Sequence, residues 1–416
     1  MLVSGCFIAT LVVCAITLPT TQSIEPTFVL PHRGCYFSSW SIYRPGKAHF
    51  LPRHIDPSLC TILYYAFAEI KLDTPSSSGT SNIRTRATQS FGFLTKAGSS
   101  PYTNASVSVM DTASQLKFLK RKNPNLKLIL SIGGWGTAST ITSIASSADL
   151  RRLFIPSLIR TIREIGYDGL DISWEWPTKS DAPYFTSLFT EIRAALDAEA
   201  QSTRTTRLIF TAAVGNTTMP GYNFPLMFQV LDLINLMTYD LHTPYFEPGE
   251  TGHHTQLYPP FSNTSSTNVR DFAEKWEEVG APKSKLVLGL ATYGNTWNLT
   301  NADKFGIGAP TNGHGPQGFY TRSDGYMAYY ELCEKIRSGE IISTVQPDIK
   351  TPYARSTVGK WWTSYEDENS LREKVKWAIG KQYSGVFVWD ITFDDFFGGC
   401  GAKYPLLNAI KSEYRA

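Results

Sequence analysis

Charge is scarce in this 416-residue chain: 18% of residues are Asp, Glu, Lys or Arg, with 39 basic against 36 acidic and no long run of either sign. A formal net charge of +3 offers no basic stripe for a nucleic-acid backbone to follow, so nucleic acid is not an expected partner. Beyond the N-terminus no stretch supplies the ~18 uncharged apolar residues that a membrane-spanning helix needs, so no membrane partner is expected either. Nucleotide motifs are missing. There is no GxxxxGKS/T, and Gly133-Gly134-Trp135-Gly136 is not GxGxxG and has no acidic residue at ribose spacing. No GxSxG nucleophile elbow occurs. His253-His254 are adjacent rather than four apart and read as loop histidines. Neither a metal nor a cofactor is expected.

Cysteine is also scarce, and its placement is informative. Residues 1–23 carry an apolar stretch from Leu2 to Leu18 followed by small polar residues, with Thr21 and Ser23 at a cleavage-like spacing, and they read as a signal peptide. No Lys or Arg precedes the apolar run, so a retained anchor is the alternative reading. Removal of this segment takes Cys6 and Cys14 with it and leaves Cys35, Cys60, Cys333 and Cys400. In a secreted, extracellular chain four cysteines imply two disulfides in one of three connectivities, with buried free thiols as the alternative. None forms a CxxC, which argues against structural zinc. The sequons at Asn104, Asn216, Asn263 and Asn298 fit a glycosylated surface.

What the chain does have is apolar runs and aromatic rings: 42% hydrophobic residues, with 10 Trp, 21 Tyr and 23 Phe. Eight short runs rich in β-branched and aromatic residues lie around Gly34–Trp40, Thr61–Ile70, Leu126–Gly133, Tyr167–Glu175, Leu208–Val214, Leu233–Tyr239, Leu286–Tyr293 and Gly385–Ile391. Continuous apolar runs of that length fit strands covered on both faces, as in a parallel sheet. Helical spacing appears between most of them, over Asp111–Lys122, after a candidate N-cap at Asp181, over Thr267–Val279 and over Glu366–Lys381. Pro156 is expected to kink or split the periodic segment Leu150–Ile165. Strand and helix alternating eight times predicts an α/β fold, a (β/α)8 TIM barrel. The loop-rich 296–360, with a helix-like Tyr326–Arg337, reads as a small inserted α+β domain between strands 7 and 8. The expected organisation is a signal peptide over 1–23 and one catalytic-type barrel domain over 24–416, without an appended C-terminal binding module.

In such a barrel the chemistry gathers at the carboxyl ends of the strands. The fourth run ends Asp168-Gly169-Leu170-Asp171-Ile172-Ser173-Trp174-Glu175. Alternation puts Asp171, Ser173 and Glu175 on one face and Leu170, Ile172 and Trp174 on the other. A carboxyl at a strand mouth with a second one behind it suits general acid catalysis, because the neighbouring negative charge favours the protonated form. The alternative is a buried Asp–Glu pair held by hydrogen bonds. Met237, Tyr239 and Asp240 close the sixth run, Trp135 follows the third, Tyr293 and Asn295 end the seventh, and Trp389 ends the eighth.

These residues resemble glycoside hydrolase family 18, in its animal branch of chitinases and chitinase-like lectins. The likeness runs through Tyr36, Tyr43–Gly46, Ile55–Pro57, Tyr65–Ala68 with Phe67, Ser131–Trp135, Met237–His242, Thr292–Gly294 and Trp389. It implies that Cys35 pairs with Cys60 and Cys333 with Cys400, that the insertion walls a groove, and that Trp389 is the floor on which a sugar stacks. The family motif is Asp-x-x-Asp-x-Asp-x-Glu; Asp168, Asp171 and Glu175 match it, whereas Ser173 stands at the third acidic position. By resemblance, Glu175 protonates the leaving oxygen of a β-1,4-linked N-acetylglucosamine oligomer and the substrate's own acetamido carbonyl attacks the anomeric carbon, a substrate-assisted route. The family Asp orients that acetamido group, and Tyr239 holds its carbonyl. Asn295 replaces a family Arg, and Trp176 replaces a family Tyr. The expected protein is a secreted, monomeric chitinase-type molecule that binds chitooligosaccharides and hydrolyses them weakly. The alternatives are an inactive lectin and a structural or growth-factor-like barrel with a vestigial groove.

Overall fold

The computed structural model describes residues 25–72, 83–86, 113, 115–261 and 267–414. Its strands are β1 (His32–Ser38), β2 (Ile62–Leu72), a short β3 (Ile83–Arg86) antiparallel to β2, β4 (Lys127–Gly133), β5 (Gly169–Ser173), β6 (Ile209–Val214), β7 (Leu233–Leu236) and β8 (Leu286–Ala291). The chain then builds an antiparallel sheet from β9 (Tyr293–Leu299), β10 (Thr311–His314), β11 (Tyr326–Ala328), β12 (Ile341–Gln346), β13 (Thr351–Ser356) and β14 (Trp361–Ser364), and returns as β15 (Gly385–Trp389). β15 pairs in parallel with β8 and with β1, and β1 pairs in parallel with β2, so the sheet closes into the expected barrel. The inserted sheet begins at Tyr293 and ends at Ser364, a few residues outside the predicted 296–360.

Alternation along each strand divides the apolar residues between two cores. On β2, Ile62, Tyr64 and Ala66 fill the barrel interior with Tyr36, Ile129, Ile209 and Phe387, while Leu63 and Tyr65 face the surrounding helices. This double covering explains why the strands read as continuous apolar runs rather than alternating ones. The disulfides Cys35–Cys60 and Cys333–Cys400 form as the resemblance implied. The first ties β1 to the start of β2; the second ties the helix Tyr329–Arg337 of the insertion to the segment after β15.

Several helical expectations need correction. The helix Ala148–Ile165 runs through Pro156 without a break. Pro156 lies on the exposed side, where water can serve the carbonyl that loses its amide partner, and Phe154, Ile155, Leu158, Ile159 and Ile162 bury the opposite face. Asp181 does occupy the N-cap position of the helix Ala182–Thr203, but its carboxylate turns backward: it accepts from the Thr178 amide and hydroxyl and from Thr142. The helices Val269–Glu278 and Glu368–Gly380 fall where periodicity put them, capped by Asn268 and Asp367. Of the helix expected over Asp111–Lys122, Ala113, Gln115 and Leu116 are helical and Lys117–Arg121 is a 3-10 turn, while 111, 112 and 114 lie outside the described residues. In the insertion, Tyr326–Ala328 is a strand and the helix begins only at Tyr329. The signal segment 1–23, Asn104 and Asn263 lie outside the described residues, while Asn216 and Asn298 are partly exposed.

Candidate active site

The carboxyl ends of the barrel strands surround a cleft of about 440 Å³. Tyr36 and Trp40 line it from β1 and the turn after it, Phe67 from β2, and Trp135 from the loop after β4. Ser173 and Glu175 enter from β5, Met237, Tyr239 and Asp240 from beyond β7, and Trp389 from β15. The Phe67 ring stacks against Trp389 at 5.7 Å, and Tyr36 and Trp40 pack on Trp389 at 5.5 and 6.2 Å, which fixes an aromatic floor. Gly134 makes room for that floor: its φ is +89°, and a β-carbon there would meet the Phe67 ring at 2.5 Å. Trp135 is half exposed at the rim, in edge contact with Tyr245 and Phe246.

The predicted face of β5 is realised. Leu170, Ile172 and Trp174 join the outer core, and Asp171, Ser173 and Glu175 point inward. Asp171 is fully buried and accepts from Tyr36 Oη at 3.0 Å, Ser131 Oγ at 2.6 Å and Thr211 Oγ1 at 2.7 Å. Burial raises its carboxyl above the usual range, and those hydroxyl donors oppose the rise. Ser173 Oγ does not join this cluster; it donates to Glu175 Oε1 at 2.7 Å. Burial, aided by the negative charges of Asp240 and Asp171, pushes the Glu175 carboxyl up to about 7, and the Ser173 hydroxyl pulls the other way. A carboxyl with that value keeps its proton near neutral pH and can give it up in an open cleft, which is the requirement for a general acid.

Asp240 adopts a left-handed conformation with φ of 55° and presents a half-exposed side chain to the cleft. Its Oδ1 accepts from Asn295 Nδ2 at 2.9 Å, and His254 Nδ1 stands 3.6 Å away. Burial alone would raise its carboxyl, but His254 and Asn295 more than offset that and hold it below the usual range. The cleft therefore contains one carboxyl prepared to hold a proton and one prepared to stay ionised.

Residues 32–394 match the family described as glycosyl hydrolases family 18.

The chain belongs to this family.

Chitotriosidase-1 of Mus musculus is 34% identical over 394 residues, covering 91% of this chain and 77% of the relative. Among solved structures, the immunomodulatory active chitinase TsES1 from Trichuris suis is 34% identical with a TM-score of 0.81, covering 92% of this chain and all of that one. Human YKL-39, a pseudo-chitinase with retained chitooligosaccharide binding properties, is 31% identical with the same TM-score, again covering 92% and 100%. As a family 18 member the chain is a chitinase-type protein of glycoside hydrolase ancestry.

Two residues that match or approach the family pattern do not reach this cleft. Asp168, expected with the catalytic carboxyls, stands before β5 at its amino-terminal end. There it binds Lys120 Nζ at 2.6 Å and accepts from the Leu128 amide at 2.7 Å. Its distance from Glu175 follows from strand geometry, since extended chain cannot return a residue to the far mouth. Tyr293, expected at the strand end among the residues around the pocket, is buried behind it, stacked on Tyr326 at 4.4 Å and edge-on to Tyr239 at 6.3 Å. Conversely, the structure adds Trp40, Ala213 and Ser323 to the lining. It also adds Asn235, whose Nδ2 donates to Tyr36 Oη at 3.2 Å, and His254 beside Asp240. Alternation along β7 from Met237 and Tyr239 could have nominated Asn235. His254 comes from a loop whose contact with Asp240 only the folded chain creates.

Proposed function

We propose that this chain binds β-1,4-linked N-acetylglucosamine oligomers in the cleft and hydrolyses them slowly by a substrate-assisted, retaining route. Glu175 is the general acid: it delivers its proton to the glycosidic oxygen as the bond to the anomeric carbon breaks, and the substrate's acetamido oxygen forms the new bond to that carbon. Water later opens the intermediate and Glu175 recovers a proton. Trp389 carries the sugar ring, with Tyr239 and Asp240 as hydrogen-bonding groups beside it. Asp171 is a positioning residue that holds Tyr36 and the strand mouth in place. The observation that carries this reading is the Glu175 carboxyl, raised to about 7 and facing an aromatic-floored cleft.

Ser173 weakens the reaction in two ways. It is uncharged, so it cannot steady the positive charge that develops on the acetamido nitrogen, and loss of one preorganised contact of that kind costs on the order of 100–1000-fold in rate. Its hydroxyl also donates to Glu175, which favours the ionised form of the acid. Binding depends less on that charge, since contacts strengthened only in the transition state govern rate rather than affinity. The second reading, a lectin without turnover, is favoured by the same Ser173–Glu175 hydrogen bond and by the pseudo-chitinase neighbour. We also propose, from the N-terminal segment, that the protein is secreted; among the described residues no helix is long and apolar enough to cross a membrane.

Calorimetric titration with N-acetylchitotetraose, followed by product analysis after prolonged incubation, tests the assignment. Binding with slow release of shorter oligomers supports the enzyme, binding without products supports the lectin, and no binding overturns both.

A further inference from the structure

A hollow larger than the cleft lies elsewhere among the described residues. An open groove of about 1000 Å³ is bounded by the amino-terminal approaches to β1, β2 and β4, by the β1–β2 connection and by the helix Pro405–Glu413. It shares no lining residue with the cleft. Six cations border it, Arg33, Lys47, Arg53, Lys122, Lys403 and Lys411, against one carboxylate, Asp56. In a chain of net charge +3, that concentration is out of proportion. Lys47 is paired with Glu334, Arg33 donates to the Leu59 carbonyl and Lys411 to Ser58 Oγ. Arg53, Lys122 and Lys403 are exposed and form no ion pair among the described residues. The field of this cluster is felt inside the groove, where burial and then the charges of Arg53, His49 and Lys403 hold the His54 imidazole below its usual value.

We propose that this groove is a second carbohydrate site, distinct from the cleft, that takes a sulfated oligosaccharide. Three features choose this ligand. The cations are mostly lysines, point charges on flexible stems, which suit dispersed sulfates better than the planar carboxylates that paired arginines grip. Asn125 adds an exposed amide on the same wall, suited to sugar hydroxyls, while Asn123 and Asn408 stiffen the walls by donating to the Pro57 and Lys403 carbonyls. The rings that line it give no stacking platform for bases: Phe396 and Tyr404 are about 5% and 4% exposed, and the half-buried Phe397 lies under Lys47. A groove of this size accommodates several sugar residues. The site does not depend on the reading of the cleft.

The test is titration of the full chain with a sulfated heparin-type hexasaccharide, its desulfated counterpart and a single-stranded oligonucleotide of equal charge, at two salt concentrations. The sulfated sugar binds, more weakly at high salt, and the desulfated one does not. The triple variant Arg53→Gln, Lys122→Gln, Lys403→Gln loses roughly tenfold or more in affinity while chitotetraose binding in the cleft is unchanged. All three side chains are exposed, so the fold is retained, which an unaltered thermal midpoint verifies. Three outcomes overturn the proposal: no binding of the sulfated sugar, binding indifferent to the triple variant, or equal affinity for the oligonucleotide.

Discussion

Asp168 and Glu175 flank β5 at its two ends and meet different surroundings. Asp168 sits beside a cation and a backbone amide that donates to it, with its charge satisfied from both sides. Glu175 has no cation among its described partners, a hydroxyl at 2.7 Å and two further carboxylates nearby. The same chemical group is therefore a structural clasp at one end of the strand and, in the proposed mechanism, the proton carrier at the other. Barrel architecture causes the difference: strand amino ends are closed by short connections that bring Lys120 across, whereas carboxyl ends open into the cleft.

The largest effect that sharpens this contrast is Glu175→Gln. The variant keeps the shape and loses the proton, so the hydrolysis rate drops by roughly 1000-fold or to background while chitotetraose affinity stays within a few-fold. Next, Trp389→Ala removes the floor. Loss of that buried contact costs about 2–3 kcal/mol in oligosaccharide binding, a drop of roughly 30- to 150-fold measured by calorimetry. The pH profile follows. Burial favours the neutral form of Glu175, so the acid is competent below its raised value and is lost as pH climbs through about 7. kcat/KM therefore holds on the acid side and falls about tenfold per unit above that point. An alkaline limb starting near the ordinary glutamate value would break the assignment. Smallest is Asp168→Asn: turnover and its pH profile stay unchanged, and stability falls by about 1–2 kcal/mol in urea unfolding because the Lys120 pair is lost. A large rate loss there, with stability intact, would return Asp168 to the catalytic group.

Much of this is legible in the sequence. The eight apolar runs coincide with the barrel strands because both faces of a parallel strand are covered, which leaves a continuous signal of limited length. The inward face of Asp171, Ser173 and Glu175 followed from two-residue alternation. Sequence motif and spatial site then part company at Asp168, because a motif records positions along a strand but not which mouth of the barrel each one reaches. Pro156 breaks no helix because the apolar face, which propensity omits, holds its helix in place. The contact of Asn295 and His254 with Asp240 joins β9 to two loops, and no local pattern encodes such a meeting. The basic groove was invisible for the same reason: its cations come from the two ends of the chain and from the approach to β4, and total composition averages them away.

Under the proposed mechanism Ser173 is the main brake on turnover, and the rate on N-acetylchitotetraose of the parent chain beside Ser173→Asp tests this. Restoring a carboxylate supplies the missing charge opposite the acetamido group and, by repulsion, strengthens the hold of Glu175 on its proton. On this mechanism kcat rises by roughly 100-fold or more, with affinity little altered. An equally slow or absent turnover in Ser173→Asp, with binding and folding intact, would contradict it.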